Sequence, residues 1–340
     1  MKGIYKLLIL LFLPVTLLSQ TGGDNTYEFL NLSTSSLVTA LGGVNVSLRT
    51  DDPSLAYYNP ALLDSSSHDR IALNYVNYFA GINYGYASYS YSHEKYGELS
   101  GGLTYLNYGK FTRADPSGNI TGSFSAAEYA LNLIWSYSID TVYRVGVNMK
   151  PVISHLDSYT SLGLAFDIGA SYVSRDGLIS AGLTLRNAGF QLTTYTGTRE
   201  KLPFEIISGL SAKLAHAPFR FSVTARHLEK YNMTHDYIKD PVSPETYMGL
   251  GGVAENIMRH FIIGTEFTPS ENFFVAAGFN YQRRKELIME NKTSTVGFSL
   301  GFGIKLTAFE LTYGRSRYHL AGSSNSFSLI VKPSAFIKRN

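Results

Sequence analysis

Cysteine is absent from the 340 residues. That excludes a disulfide framework, a thiolate metal site and anchoring through a lipidated cysteine. Charge is scarce: Asp, Glu, Lys and Arg make up 16 % of the chain, where a soluble globular chain carries about 25 %. Beyond the N-terminus no run approaches about 18 consecutive apolar residues, so no transmembrane helix is expected. Walker, HExxH and GxSxG signatures are missing. The eight histidines (His68, His93, His155, His216, His227, His235, His260 and His319) never stand at metal-ligand spacing. Gly249, Gly251 and Gly252 resemble a phosphate loop only superficially, since no lysine or strand–helix context follows, and read as a flexible loop. Asp51 and Asp52 are two adjacent carboxylates, too few for a calcium site, and read as helix caps. No catalytic residue, cofactor or metal is therefore expected.

What is present is aromatic and small: 25 Tyr, 20 Phe, one Trp and 31 Gly. Few charges with many Tyr and Gly suit a lipid-facing barrel with aromatic girdles. Lys2 and Lys6 precede the apolar stretch Leu7–Leu18, the pattern of a Sec signal peptide covering residues 1–19. Without those two lysines, 27 basic residues face 26 acidic ones. So even a balance argues against nucleic-acid binding, which needs clustered positive charge.

From about Asp69 the hydrophobic period is 2. Val296, Phe298, Leu300, Phe302, Ile304 and Leu306 fall on one face, and Gly297, Ser299, Gly301, Gly303 and Lys305 on the other. The same alternation runs through Tyr129–Tyr137, Leu162–Tyr172, Phe219–Ala225 and Tyr143–Met149. Apolar faces often begin or end in Tyr, Phe or Trp, as interfacial aromatics do. About fourteen strands can be placed, an even number as bacterial barrels require. Short connections near His93–Tyr96, Ile139–Thr141, Ser174–Gly177, Ala215–Pro218, Thr268–Asn272 and Leu306–Ala308 alternate with long ones. The long ones are Lys110–Ser123, Gln191–Pro203, Glu229–Arg259, Arg283–Ser294 and Arg315–Asn325. Short turns at one end and long loops at the other are the periplasmic and extracellular ends of an outer-membrane barrel. Pro151 either opens the wall by kinking a strand or simply ends one.

Residues 20–68 lack this alternation. Leu37, Ala40 and Leu41 have helical spacing, and Asp52-Pro53 and Asn59-Pro60 are two helix-start signals. A segment this small cannot fold alone. It is expected to plug a barrel of residues 69–335 and to touch inward charges such as Arg186 or Arg220. The other charges on polar faces are Arg144, Lys150, Asp167, Arg226, Glu266, Lys305 and Glu310. They are read as a network holding the plug, because unpaired charges in low-dielectric surroundings are costly.

Several stretches carry a resemblance. They are Tyr27–Leu32, Ala40–Ser47, Asp51–Ala56, the plug motif Asn59-Pro60-Ala61-Leu62 continued by Leu63, and Phe279–Leu287. In this order they are similar to the FadL-like barrels and, within them, to the PorQ family of the type IX secretion system of Bacteroidetes. The Asn-Pro-Ala-Leu stretch is shared across FadL-like barrels and does not separate the PorQ family from the related PorV family. The resemblance implies an all-β fold: a 14-stranded antiparallel outer-membrane barrel with an N-terminal lumenal plug. It further implies a place in the attachment complex with the PorU sortase and the PorV cargo shuttle. There it would anchor a PorZ-like surface protein while cargo is attached to anionic lipopolysaccharide. The competing readings are a FadL-type transporter of hydrophobic molecules, a PorV-like shuttle, and a soluble β-sandwich adhesin. If a partner docks, the longest loop is its candidate site, with Tyr231, Tyr237 and Tyr247 among charges.

Overall fold

The computed structural model describes residues 25–79, 81–233, 250–287, 295–319 and 322–336. The signal-peptide expectation for residues 1–19 lies outside them.

Fourteen strands close into one antiparallel barrel, each pairing with its neighbours in sequence and β1 with β14. They are β1 Arg70–Asn77, β2 Asn83–His93, β3 Gly97–Ala114, β4 Ile120–Ser138, β5 Tyr143–Leu156, β6 Tyr159–Val173 and β7 Ile179–Thr193. The circle continues through β8 Glu205–Lys213, β9 Phe219–Ala225, β10 Phe261–Ser270, β11 Phe273–Asn280, β12 Phe298–Lys305, β13 Phe309–His319 and β14 Gly322–Val331. Closure gives every strand a partner on both sides, the condition for placing a sheet in hydrocarbon, although the extracellular part of β7 beyond Arg186 extends past the last pair with β8. Alternation sends one face out: Leu300 and Phe302 are exposed while Ser299, Gly301 and Gly303, which alternate with them, are buried. At the end carrying the short turns, outward aromatics form a girdle. Trp135 stacks on Tyr137 at 6.1 Å, Tyr143 meets Tyr172 at 5.3 Å and Phe219 meets Phe267 at 4.9 Å.

All six short connections fall at the end that carries both barrel termini, the periplasmic end by this rule. The opposite end is less regular than expected. Lys110–Ser123 and Arg315–Asn325 are mostly strand, because pairing continues through Lys110↔Ser125 and Arg315↔Asn325. In the first of these, the Asp115 carboxylate closes the turn by accepting the backbone N–H groups of Ser117 and Asn119, both at 2.9 Å. The loop expected to include Gly251 and Gly252 holds instead a helix, α2 Leu250–Arg259, and the next loop holds α3 Tyr281–Leu287. Val296 does not begin the outward face of β12. Gly297 turns the chain at φ +89° and leaves Val296 buried. Pro151 neither ends β5 nor changes its register. Pairs are missing only between Ala130↔Val152 and Leu133↔Met149, where proline has no N–H to give, and the β5–β6 ladder runs on through Pro151↔Leu164.

Residues 25–68 lie inside the barrel as short helical turns. Helix α1, Ser36–Ala40, packs against β12 and β13. Both start signals work as capping chemistry predicts: Asp52 accepts from the N–H of Ser54 at 2.8 Å and Asn59 from that of Ala61 at 3.0 Å. Asp51 caps nothing. It pairs with Arg70 at 2.5 Å and with Lys305 at 2.7 Å, joining the plug to β1 and β12.

Part of the glycine content serves this fit. A Cβ on Gly146 would lie 2.5 Å from the Pro60 carbonyl carbon and 2.7 Å from the Ala61 nitrogen. One on Gly278 would collide with the backbone of Leu41 and Gly42. Valine at either position suits the strand but not the plug. Gly278→Val should therefore leave a heat-modifiable barrel while making residues 25–68 cleavable by added protease. Gly101→Val, where a Cβ meets nothing, should leave the segment protected. Equal protection in both variants would contradict this seating.

Candidate functional site

The plug motif sits where plug and wall meet. Asn59 is fully buried, and its side chain donates to the carbonyls of Val46 at 2.9 Å and Ala170 at 3.1 Å. One asparagine thus ties two plug segments and β6 together. Pro60 and Ala61 follow against Gly146 and Gly169, and Leu62 lies buried beside them. The demand on this stretch is structural: its side chains are buried between plug segments and wall.

Across the middle of the lumen runs the charge network. Lys150 and Asp167, both fully buried, pair at 2.7 Å. Lys150 also donates to Asn187 Oδ1 at 2.5 Å, and Asp167 accepts the Asn187 N–H at 2.8 Å. Asn187 can do this because β7 bulges at that point, with φ +55° at Asn187 between the pairs Phe166↔Ala188 and Ile168↔Leu185. Arg186, the other bulge residue, points inward and donates to the Leu30 carbonyl at 2.9 Å. Its guanidinium lies 5.3 Å from the Tyr57 ring centre and 5.8 Å from that of Tyr58. Tyr57 donates to the same carbonyl at 2.8 Å, and Tyr58 accepts the N–H groups of Thr34 and Ser35 at 2.8 and 3.0 Å. Nearer the periplasm, Arg220 pairs with Glu266 at 2.9 Å and donates to the Arg49 carbonyl at 3.0 Å. Arg144 bonds Glu98 and the Leu63 carbonyl. Of the inward charges named from the alternation, Arg144, Arg186, Arg220 and Lys305 bond the plug, whereas Asp167, Arg226 and Glu266 pair with residues of the wall. Nothing in the sequence marks Asn187, because a bulge is a local register slip that the period of 2 cannot show.

Above the plug, at the extracellular mouth, opens a vestibule of about 380 Å³. Plug residues Asn31–Ser33 and Gly43–Val44 line it together with Arg226, His227, Lys230 and Arg283. Arg226 grips Glu205 through two hydrogen bonds of 2.7 and 3.1 Å. Arg283 stacks 4.1 Å from the ring centre of Tyr318, which in turn meets Tyr78 edge-on at 5.0 Å. Burial pushes the Tyr78 hydroxyl well above its ordinary value. The rim is polar and aromatic. Of the candidate partner residues, Tyr231 stands 82 % exposed at this rim, whereas Tyr237 and Tyr247 lie outside the described residues.

No protein-family model matches the chain, and no curated protein matches it. Solved structures do. The toluene transporter TbuX of Ralstonia pickettii superimposes with a TM-score of 0.53 at 12 % identity, covering 88 % of this chain and 98 % of that one. The toluene transporter TodX of Pseudomonas putida gives 0.52 at 12 %, covering 88 % and 97 %. A FadL homologue of Pseudomonas aeruginosa gives 0.51 at 11 %, covering 88 % and 98 %. At such identity the likeness is one of fold. The chain has the closed 14-strand architecture of FadL-like barrels, which fits the outer membrane of a Gram-negative bacterium.

Lys150→Met leaves Asp167 buried without its cation and should destabilise the barrel by about 3–5 kcal/mol. Urea unfolding in detergent measures it. The double variant Lys150→Met/Asp167→Leu should recover part of that loss. An unchanged midpoint for the single variant would contradict the role of the pair.

Proposed function

We propose that this protein is a sealed outer-membrane anchor for a surface protein, as a PorQ-like component of the type IX attachment complex would be. The observation that supports this reading is the filled lumen. Tyr57, Tyr58, Tyr86, Lys150 and Arg186 are each at most 1 % exposed, and the space between them is occupied by plug and charge network. A carrier of hydrophobic molecules needs a continuous apolar path, and these groups stand across its route. With the lumen occupied and the strands facing lipid, the surface left for recognition is the extracellular mouth. There exposed aromatic and charged side chains suit an interface with a buried centre and polar rim. The partner in this reading is a PorZ-like protein, held together with PorU and PorV.

The second reading is FadL-type transport, favoured by the fold shared with the two toluene transporters. One experiment separates the two. Residues 234–249 are replaced by a short Gly/Ser linker, leaving Met233 and α2 in place. The anchor reading expects a folded barrel, loss of the PorZ-like partner from the cell surface and unchanged uptake of monoaromatic hydrocarbons. Retention of the partner at wild-type level would move docking elsewhere on the mouth. Uptake that collapses when the protein is deleted would instead favour transport.

A further inference from the structure

The barrel wall is uneven in height. β6 and β7 contain 15 residues each, whereas β9 contains 7 and β11 and β12 contain 8. Seven residues rising about 3.3 Å each and tilted about 40° reach only about 18 Å along the membrane normal, short of the ~25 Å apolar band of an outer-membrane barrel. The deficit lies at the extracellular end, because the turns at the other end are all tight.

Helix α2 occupies that position, between β9 and β10, and it is turned inside out. A surface helix ordinarily buries its apolar stripe and exposes its polar one. Here the polar stripe faces the protein. Asn256 accepts the Met233 N–H at 2.6 Å and donates to the Tyr231 carbonyl at 2.7 Å. Glu255 pairs with Arg259 at 3.0 Å and with Lys285 of α3 at 3.3 Å. Val253, Ile257 and Met258 lie on the other face, 45, 52 and 41 % exposed. One residue, His260, separates the helix from β10, on whose outward row Ile263 is 47 % exposed. Leu228, 46 % exposed, is held at the extracellular end of β8, its N–H bonded to the Ile206 carbonyl at 3.1 Å.

We propose that α2 lies in the outer leaflet of the membrane and completes the apolar belt over the short strands, its exposed face covered by lipid acyl chains. Two observations choose lipid over another protein. The exposed apolar side chains belong to a helix joined by a single residue to a lipid-facing strand, and that helix stands where the strands alone are too short to match the hydrocarbon. The hydrogen bonds and ion pairs on the opposite side fix the helix in this orientation before any lipid arrives. The inference is independent of what docks at the mouth.

The absence of cysteine makes the test direct. Single-cysteine variants of the full chain, Ile257→Cys and Val253→Cys, are nitroxide-labelled and reconstituted in dioleoylphosphatidylcholine vesicles. Collision rates are then measured with oxygen, which concentrates in lipid, and with a nickel chelate, which stays in water. Leu300→Cys on β12 is the lipid-facing reference and Tyr231→Cys the aqueous one. Heat-modifiable migration on gels confirms folding of each. The labels at 253 and 257 should match the one at 300, with high oxygen and low nickel collision rates. Nickel collisions at the level of position 231 would overturn the proposal. So would low collision rates with both reagents, which would mean that protein covers the face.

Discussion

Everything in this structure follows from one constraint: a polar group placed at membrane depth must find its partner within the protein. On the outside the constraint is met by closure, since each strand pairs with its neighbours and β14 returns to β1. On the inside a wall of fourteen strands encloses more space than its own side chains can fill, and charged groups point into it. The plug resolves both problems. Its backbone carbonyls at Leu30, Arg49 and Leu63 receive Arg186, Arg220 and Arg144, and its carboxylate at Asp51 receives Arg70 and Lys305. The wall's cations thus serve as the plug's fasteners.

This arrangement separates the protein's two surfaces by task. Within the lumen, Lys150, Asp167 and Asn187 form a fully buried cluster between plug and wall. The outward face is given to lipid. In the proposed anchoring role, recognition falls to the extracellular end, where a vestibule of about 380 Å³ opens and Tyr231 is exposed. The proposed anchoring role and the proposed lipid contact of α2 use neighbouring but different parts of that end. The first uses the loop before the helix, the second the helix's apolar face.

Much of the fold was legible because period 2 is a local signal. Leu300 and Phe302 face out and Ser299 and Gly301 face in for a reason contained in the sequence around them. The helix starts at Asp52 and Asn59 were equally local, each needing only its own side chain and the proline that follows. Features that depend on distant partners were not legible. Asn187 acquires its role from a bulge opposite Asp167, and Gly278 from the backbone of Leu41 far away in sequence. Two loops proved to be strand because strand pairing, not composition, decides where a hairpin ends. Helix α2 was hidden by its own glycines. Gly251 and Gly252 suggest a loop, yet Val253, Ala254, Ile257 and Met258 behind them already had helical spacing.

A plug that fills the lumen closes the barrel to ions, and electrical conductance across a planar bilayer reads this out. The full-length protein should insert without stable ohmic steps, and a variant lacking residues 25–68 should open a steady pore. A stable open conductance from the intact chain, equal to that of the truncated one, would contradict the account.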